Sequence, residues 1–145
     1  MKKEIREWVS GGKRDTDEGK LDIEGFLSPV VLKRYAQYMD KHRTMRDGSK
    51  RESDNWQKGF GESLHEHFCI CIKSLFRHFM DLWTIHRREP DGINHYEETE
   101  ESLCAIMFNA MALLHRLLKN KNDFDKQEYI DDIKSIPGRK VGELE

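Results

Sequence analysis

Apolar residues recur at intervals of three and four along three stretches of the chain, which is the spacing of one face of an α-helix. The first stretch opens at Ser28-Pro29, where a hydroxyl can cap the helix and proline suits its first turn. In the second stretch the apolar positions include Leu64, Phe68 and Ile72. The pattern therefore predicts three helices, over residues 28–42, 63–88 and 97–119.

The segments around these helices have the composition of loops. Residues 1–25 are polar and rich in glycine, with no helical or strand period, and predict an N-terminal arm. Residues 44–61 carry turn residues and predict a long central loop. Beyond residue 119 the chain turns polar, with a short helix predicted over Gln127–Ile133 and a frayed end from Pro137. We expect a single domain over residues 1–145, divided into an arm at 1–25, a helical core at 26–119 and a polar C-terminal extension at 120–145.

The run Glu89-Pro90-Asp91-Gly92 ends the second helix, and the short connection predicts that the second and third helices form an antiparallel hairpin. Residues whose numbers sum to about 184 then lie opposite one another, because both helices rise equally per residue. Asp81 comes near Glu101, and His78 comes near the turn that contains Asn109. The predicted fold class is all-α: a helical bundle built around a long antiparallel hairpin.

The third helix has two unlike faces. One is an apolar stripe, and the opposite face is small and polar. Asn109 interrupts an otherwise apolar run, where a buried amide needs hydrogen-bond partners to offset its desolvation. The stripe comprises Leu103, Ile106, Ala110, Leu113, Leu114 and Leu117, and the small polar face comprises Glu98, Glu101, Ala105, Asn109 and Ala112.

Acidic and imidazole side chains converge near the closed end of the hairpin. Carboxylates on adjacent helices suit Mg²⁺, a hard cation that is commonly shared with substrate phosphates. The alternatives are acidic residues that favour a helix N-terminus, a core histidine at position 78, and a pair between Asp81 and Arg77. The candidate catalytic residues are His78, Asp81, Glu98 and Glu101, of which the three carboxylates are the candidate metal ligands.

The arm and the central loop carry cationic and stackable side chains that suit a phosphorylated aromatic ligand. The alternative for Trp56 is a ring that anchors the loop onto the helices. The sequence contains no P-loop, no Rossmann glycine pattern and no nucleophile elbow. The candidate substrate-binding residues are Arg14, Lys20, Asn55, Trp56, Lys58 and Asn109.

The charge balance narrows the set of partners. The chain has 25 Lys and Arg against 27 Asp and Glu, so we expect neither nucleic acid nor a membrane as a partner. The N-terminus lacks the apolar stretch of a signal peptide, and no run approaches the roughly 18 apolar residues of a membrane span. We therefore expect a cytoplasmic protein whose 3 cysteines are reduced, buried thiols.

Four motifs occur together in one order: residues 10–20, 53–59, 74–78 and 103–110. With them the chain resembles the dATP/dGTP diphosphohydrolase family of phages and prophages, itself similar to the all-α MazG-like nucleoside triphosphate pyrophosphohydrolases. The resemblance covers roughly residues 10–118. It departs from the MazG-like pattern in one respect: those enzymes place paired carboxylates on two helices, whereas Asp81 is the sole carboxylate deep in the second helix here.

The resemblance implies cleavage of a (deoxy)nucleoside triphosphate, with purine substrates such as dATP and dGTP, to the monophosphate and pyrophosphate. It implies a divalent metal, Mg²⁺ or alternatively Mn²⁺, and a homo-oligomer, dimeric or tetrameric, with shared sites. The segment from Arg14 to Lys20 and the loop Asn55-Trp56-Lys58 match motifs that would contact substrate, and His78, Glu101 and Asn109 match the helical motifs. The competing hypothesis is a non-catalytic helical module that binds a protein partner, or binds a nucleotide without hydrolysing it.

Overall fold

The computed structural model describes residues 5–91 and 93–134, with side chains as far as residue 122 except at position 93. The described chain divides into two compact units, the first ending at Lys33 and the second beginning at Arg34. The elements are strands Ile5–Glu7 (β1) and Lys13–Asp15 (β2), helices Ile23–Phe26 (α1), Pro29–Arg43 (α2), Leu64–Arg88 (α3) and Tyr96–Lys134 (α4), and 3-10 helices Asn55–Lys58 and Ile93–His95.

The first unit contains a short hairpin in which β1 and β2 pair antiparallel, with Arg6 opposite Arg14. The connecting turn is closed by a hydrogen bond from the Trp8 amide to the Gly12 carbonyl (3.0 Å), and Gly11 adopts the positive φ that the turn requires. The prediction of an arm without strands was therefore wrong. Three-residue strands are too short to show an alternating pattern in the sequence.

The hairpin of α3 and α4 dominates the second unit and confirms the predicted all-α class. The Ser63 hydroxyl caps α3 by accepting from the Glu66 amide (3.1 Å), so the helix begins where the sequence predicts. At the closed end, Glu89 lies 3.8 Å from the His95 ring, and at the open end His67 and Arg116 both lie next to Gly59, 3.5 and 3.3 Å from a Cβ placed there. Both pairs have numbers that sum close to the predicted 184, so the hairpin register follows from equal helical rise.

Helix α4 is longer than predicted. The predicted end near residue 119 and the separate helix over Gln127–Ile133 are wrong, because the helix continues unbroken to Lys134. No glycine or proline occurs between Lys119 and Pro137, so nothing in the local chemistry stops the helix. The frayed end predicted from Pro137 lies outside the described residues.

Helix α4 buries its small polar face rather than its apolar stripe. Ala105 and Ala112 are each 2% exposed and Asn109 is 5% exposed, whereas Leu103 is 45% and Leu114 is 57% exposed. Small side chains let neighbouring backbones approach closely, and close packing of many atoms gains dispersion energy. An amphipathic pattern alone predicts that the leucine stripe of α4 faces the core, but in the structure the alanine face does.

Helix α2 packs on α4 through long side chains. Tyr38 is buried against Cys104 and Ala105, with Tyr35 and Phe108 partly buried beside them. Burial raises the pKa of the Tyr35 hydroxyl to about 12, and that hydroxyl lies 3.6 Å from Met111 Sδ. These contacts make α2 the third helix of the bundle.

By length and composition alone, Tyr96–Asn122 of α4 reaches the hydropathy of a membrane-spanning helix, which the sequence analysis did not anticipate. A single helix of this kind is weak evidence, because core helices of soluble proteins meet the same criterion. Two of its polar side chains have partners within the protein: Asn109 donates to the Ala105 carbonyl (2.8 Å), and Glu101 pairs with Arg34 (2.9 Å). The cytoplasmic location stays a prediction.

The loop between α2 and α3 is fixed at both ends. At its start, Arg43 Nε donates to the Arg51 carbonyl (2.7 Å), and Arg51 donates to the His42 carbonyl (2.6 Å). At its end, the Phe60 amide donates to Nδ1 of the buried His67 (2.8 Å). Gly59 lies between the 3-10 helix and this bond, with φ of 86° and ψ of 172°. This conformation is essentially restricted to glycine.

We expect Gly59→Ala to destabilise the fold by about 2–3 kcal/mol, because a Cβ there adds backbone strain and lies 3.3 Å from the Arg116 guanidinium and 3.5 Å from the His67 ring. Gly48→Ala is the matched control: its φ is also positive, but a Cβ there has no atom within 4 Å. Urea unfolding measures both. Equal losses in the two variants would contradict a packing role for Gly59.

Candidate functional site

A cleft of about 710 Å³ opens between α3 and α4 towards the closed end of their hairpin, with the end of α2 as a further wall. His78, Asp81 and Arg88 are spaced by three and seven residues, which places them on one face of α3. Helix α4 contributes residues from its first three turns. The polar lining comprises His42 from α2, His78, Asp81, Thr84 and Arg88 from α3, and His95, Glu97, Glu98, Glu101 and Ser102 from the start of α4 and the turn before it. All four predicted catalytic residues therefore line one cleft.

Glu101 is the most heavily paired carboxylate in this cleft. Its oxygens accept from Arg34 Nη2 at 2.9 Å and lie 3.4 Å from Lys41 Nζ and 3.6 Å from His42 Nε2. Partial burial opposes ionisation of Glu101, but the Arg34 hydrogen bond and the Lys41 charge outweigh it and lower its pKa. Hydrogen bonds to Glu100 and Glu101 in turn raise the pKa of Arg34. This network ties α2 to α4 at the edge of the cleft.

Two acid and imidazole pairs face the solvent in the same cleft. His78 Nδ1 lies 4.0 Å from Asp81 Oδ2, and His95 Nδ1 lies 3.9 Å from Glu98 Oε1. The side chains of Asp81 and Glu98 are 68% and 64% exposed, so water reaches both carboxylates. Asp81 thus faces His78 rather than Arg77, and an imidazole next to a carboxylate can exchange a proton with bound water.

The residues do not fit a preformed three-ligand metal site. Within residues 5–91 and 93–134, no group of three or more His, Cys, Asp or Glu side chains is spaced to hold a metal ion. Asp81 and Glu98 each lie beside a histidine, and Glu101 is occupied by cations. The structure therefore does not assemble Asp81, Glu98 and Glu101 as a set of ligands.

The predicted substrate-binding residues are dispersed. Asn109 does not line the cleft; its amide donates to the Ala105 carbonyl one turn earlier, which satisfies a buried donor within the helix. Lys58 is exposed at the end of the 3-10 helix. Arg14 lies on β2 and Lys20 lies 3.6 Å from Asp17, both in the first unit, so their participation in a site on the second unit stays a prediction.

Asn55 and Trp56 line a second, smaller pocket of about 250 Å³. Tyr38 and His42 belong to both this pocket and the cleft, so the two are adjacent. The Trp56 ring also contacts the edge of His115, with centroids 5.0 Å apart, which fits the alternative of a ring that anchors the loop. Trp56 therefore anchors the loop and forms part of a pocket wall.

Sequence reasoning missed the contributions of Arg34, His42, Arg88 and His95. Arg88 had a usable signal, since it follows Asp81 by seven residues and so lies on the same face of α3. Arg34 and His42 had none, because the position of α2 beside α4 depends on the path of the long loop that joins α2 to α3. Comparison with protein-family models, curated proteins and solved structures gave no match for this chain. The resemblance described above therefore depends on the motifs alone.

We expect Glu101→Gln to lower the free energy of unfolding by about 1 kcal/mol at pH 7, because the neutral amide loses its attraction to Arg34 and Lys41. A carboxyl with a lowered folded pKa stabilises the fold above its ordinary value of 4.5, and that stability is lost as pH falls through the folded pKa. The gap in melting temperature between wild type and variant should hold from pH 8 to about pH 5 and close below.

Glu18→Gln is the control, because Glu18 is exposed, lies in no helix or strand and has no ion pair among the described residues. A gap for Glu101→Gln that stays constant down to pH 2 would contradict the charge network.

Proposed function

We propose that this chain hydrolyses (deoxy)nucleoside triphosphates to the monophosphate and pyrophosphate, with purine dNTPs such as dATP and dGTP as substrates, in the cleft between α3 and α4. The observation that carries the proposal is the convergence of His78, Asp81, Glu98 and Glu101 on one cleft. These residues lie on two helices, and the sequence pattern had identified all four as candidate catalytic residues. The motif resemblance supplies the reaction type.

One free guanidinium and two imidazoles at the cleft support binding of a polyphosphate. Arg88 is exposed, lines the cleft and has no ion pair among the described residues, so its guanidinium is available for a bidentate phosphate contact. His42 and His95 lie on the same lining and can donate further hydrogen bonds. Three donors from three elements can orient a triphosphate along the cleft.

The pair of His78 and Asp81 supports activation of a water molecule. In this proposal His78 accepts a proton from a water molecule, and the water oxygen bonds to the α-phosphorus. The bond between the α-phosphorus and the oxygen that bridges it to the β-phosphorus breaks, and pyrophosphate leaves with that oxygen. Asp81 lies 4.0 Å from the His78 ring and stabilises the imidazolium that forms. Arg88 offsets the negative charge that gathers on the leaving phosphates.

Mg²⁺, with Mn²⁺ as the alternative, remains the proposed cofactor on the strength of the resemblance. The described residues offer no three-ligand group for it. An ion held chiefly by the triphosphate needs only one or two protein carboxylates. Such an ion would offset the charge of the triphosphate, while His78, Asp81 and Arg88 act on the water and on the leaving group.

A homo-oligomer, dimeric or tetrameric, also stays a proposal. Large apolar side chains on both helices of the hairpin are exposed in the single chain, among them Phe76 at 62%, Trp83 at 47% and Leu114 at 57%. Large exposed apolar areas are unusual on monomers. Light scattering during size-exclusion chromatography would measure the mass directly against the 17.2 kDa of one chain.

The competing function is a helical interaction module without catalysis. The network around Glu101 favours it, since a carboxylate held by Arg34 and Lys41 can serve structure alone. An enzyme of the proposed kind gains thermal stability from a triphosphate together with divalent metal, whereas an interaction module gains none.

We expect the purified chain with Mg²⁺ to release pyrophosphate from dATP and dGTP, and EDTA to abolish the release. His78→Ala and Asp81→Asn should each lower kcat at least 100-fold, because they remove the proton acceptor and its neighbouring charge. Product separation by ion-exchange chromatography identifies the bond that is cleaved.

Glu62→Gln is the matched control, since this exposed carboxylate precedes α3 and lines neither pocket. Release of orthophosphate in place of pyrophosphate would reject the cleavage position. Activity that survives both cleft variants would reject the cleft as the active site.

A further inference from the structure

We propose that the smaller pocket beside the cleft binds a nucleobase, a planar heteroaromatic ring with hydrogen-bonding edges. The proposal refines the proposed function, since the base would belong to the nucleotide whose phosphates occupy the cleft. Three features of the pocket support it: aromatic walls, polar groups without partners, and a size that suits a fragment.

Five aromatic rings line this pocket, and they come from four separate segments. Tyr38 and His42 lie at the end of α2 with ring centroids 4.3 Å apart. Phe60 follows the 3-10 helix and meets the Phe108 ring edge to face at 6.0 Å. Trp56 is half-buried in the 3-10 helix itself. Faces of aromatic rings attract nucleobases by stacking, at about 1–3 kcal/mol per base.

Polar groups in the pocket wall lack partners within the described part of the chain. The half-buried Asn55 amide makes no side-chain hydrogen bond there, and neither does the Trp56 indole N–H or the Ser53 hydroxyl. An amide offers a donor and an acceptor side by side, which matches the edge of a base. Water reaches the Asn55 side-chain amide, so this amide is available to bond a base that displaces the water.

The dimensions and position of the pocket favour a base over a whole nucleotide. Its volume of about 250 Å³ lies below the roughly 300–1,000 Å³ of sites that hold drug-sized ligands. The adjoining cleft of about 710 Å³ has room for the sugar and phosphates. Tyr38 and His42 are shared by both walls, so the two spaces are neighbours and the phosphates of a base-bound nucleotide would lie on the side of the cleft.

The pocket is built on a loop that is held in place before any ligand binds. Arg43 and Arg51 join the loop to α2 through hydrogen bonds of 2.7 and 2.6 Å to backbone carbonyls. His67 holds the Phe60 amide on the other side. A preformed wall lowers the entropy cost of binding.

The test measures binding of dGMP, dAMP and inorganic tripolyphosphate to the full chain by isothermal titration calorimetry. Asn55→Ala should weaken both mononucleotides about tenfold, because one hydrogen-bonding edge is lost, and should leave tripolyphosphate binding unchanged. Ser53→Phe places a ring at the pocket from an exposed position, where folding tolerates it, and should weaken the mononucleotides further. Gln57→Ala, exposed in the same 3-10 helix and outside both pockets, should match the wild type.

Mononucleotide affinities that stay at the wild-type value in Asn55→Ala and Ser53→Phe would overturn the base pocket, as would an equal loss for tripolyphosphate. The two proposals fail separately. Mononucleotide binding that depends on Asn55, without pyrophosphate release, would support the pocket and reject hydrolysis. Pyrophosphate release with an unchanged KM in Asn55→Ala would support hydrolysis and reject the pocket.

Discussion

Close packing of the small face of α4 is the contact on which the second unit depends. Ala105 and Ala112 are almost fully buried, and the side-chain amide of Asn109 between them donates a hydrogen bond to the carbonyl four residues earlier. Any larger side chain on this face would separate α4 from its neighbours, because packed interiors leave little free volume. With α4 turned this way, Glu98 and Glu101 at its start face the cleft.

The orientation of α4 about its own axis also links the stability of the fold to the candidate site. Glu101 lies one turn before Ala105 and accepts charge-assisted hydrogen bonding from α2, so the helix that forms the core also positions a cleft carboxylate. Tyr38 is buried against Cys104 and Ala105 and belongs to the lining of both pockets. A change in α2 should therefore alter the two binding surfaces together.

Local chemistry predicted the helices well. Ser63 caps α3, Pro29 opens α2, and the run from Glu89 to Gly92 ends α3, so these boundaries could be obtained from the sequence. Counting residues across the turn then predicted that the four candidate catalytic residues converge. The buried face of α4 could not be obtained that way, because periodicity identifies two faces and tertiary packing selects between them. Arg34 and His42 were missed since the path of a long loop has no sequence signature.

The most direct test of the account is the stability of leucine substitutions on α4. Ala105→Leu and Ala112→Leu should each lose about 1–3 kcal/mol in urea unfolding, because the buried face has no room for three more carbon atoms. Ala110→Leu, on the exposed stripe, should stay within about 0.5 kcal/mol of the wild type. Wild-type stability in both buried-site variants would contradict the packing of α4, and with it the cleft that this packing forms.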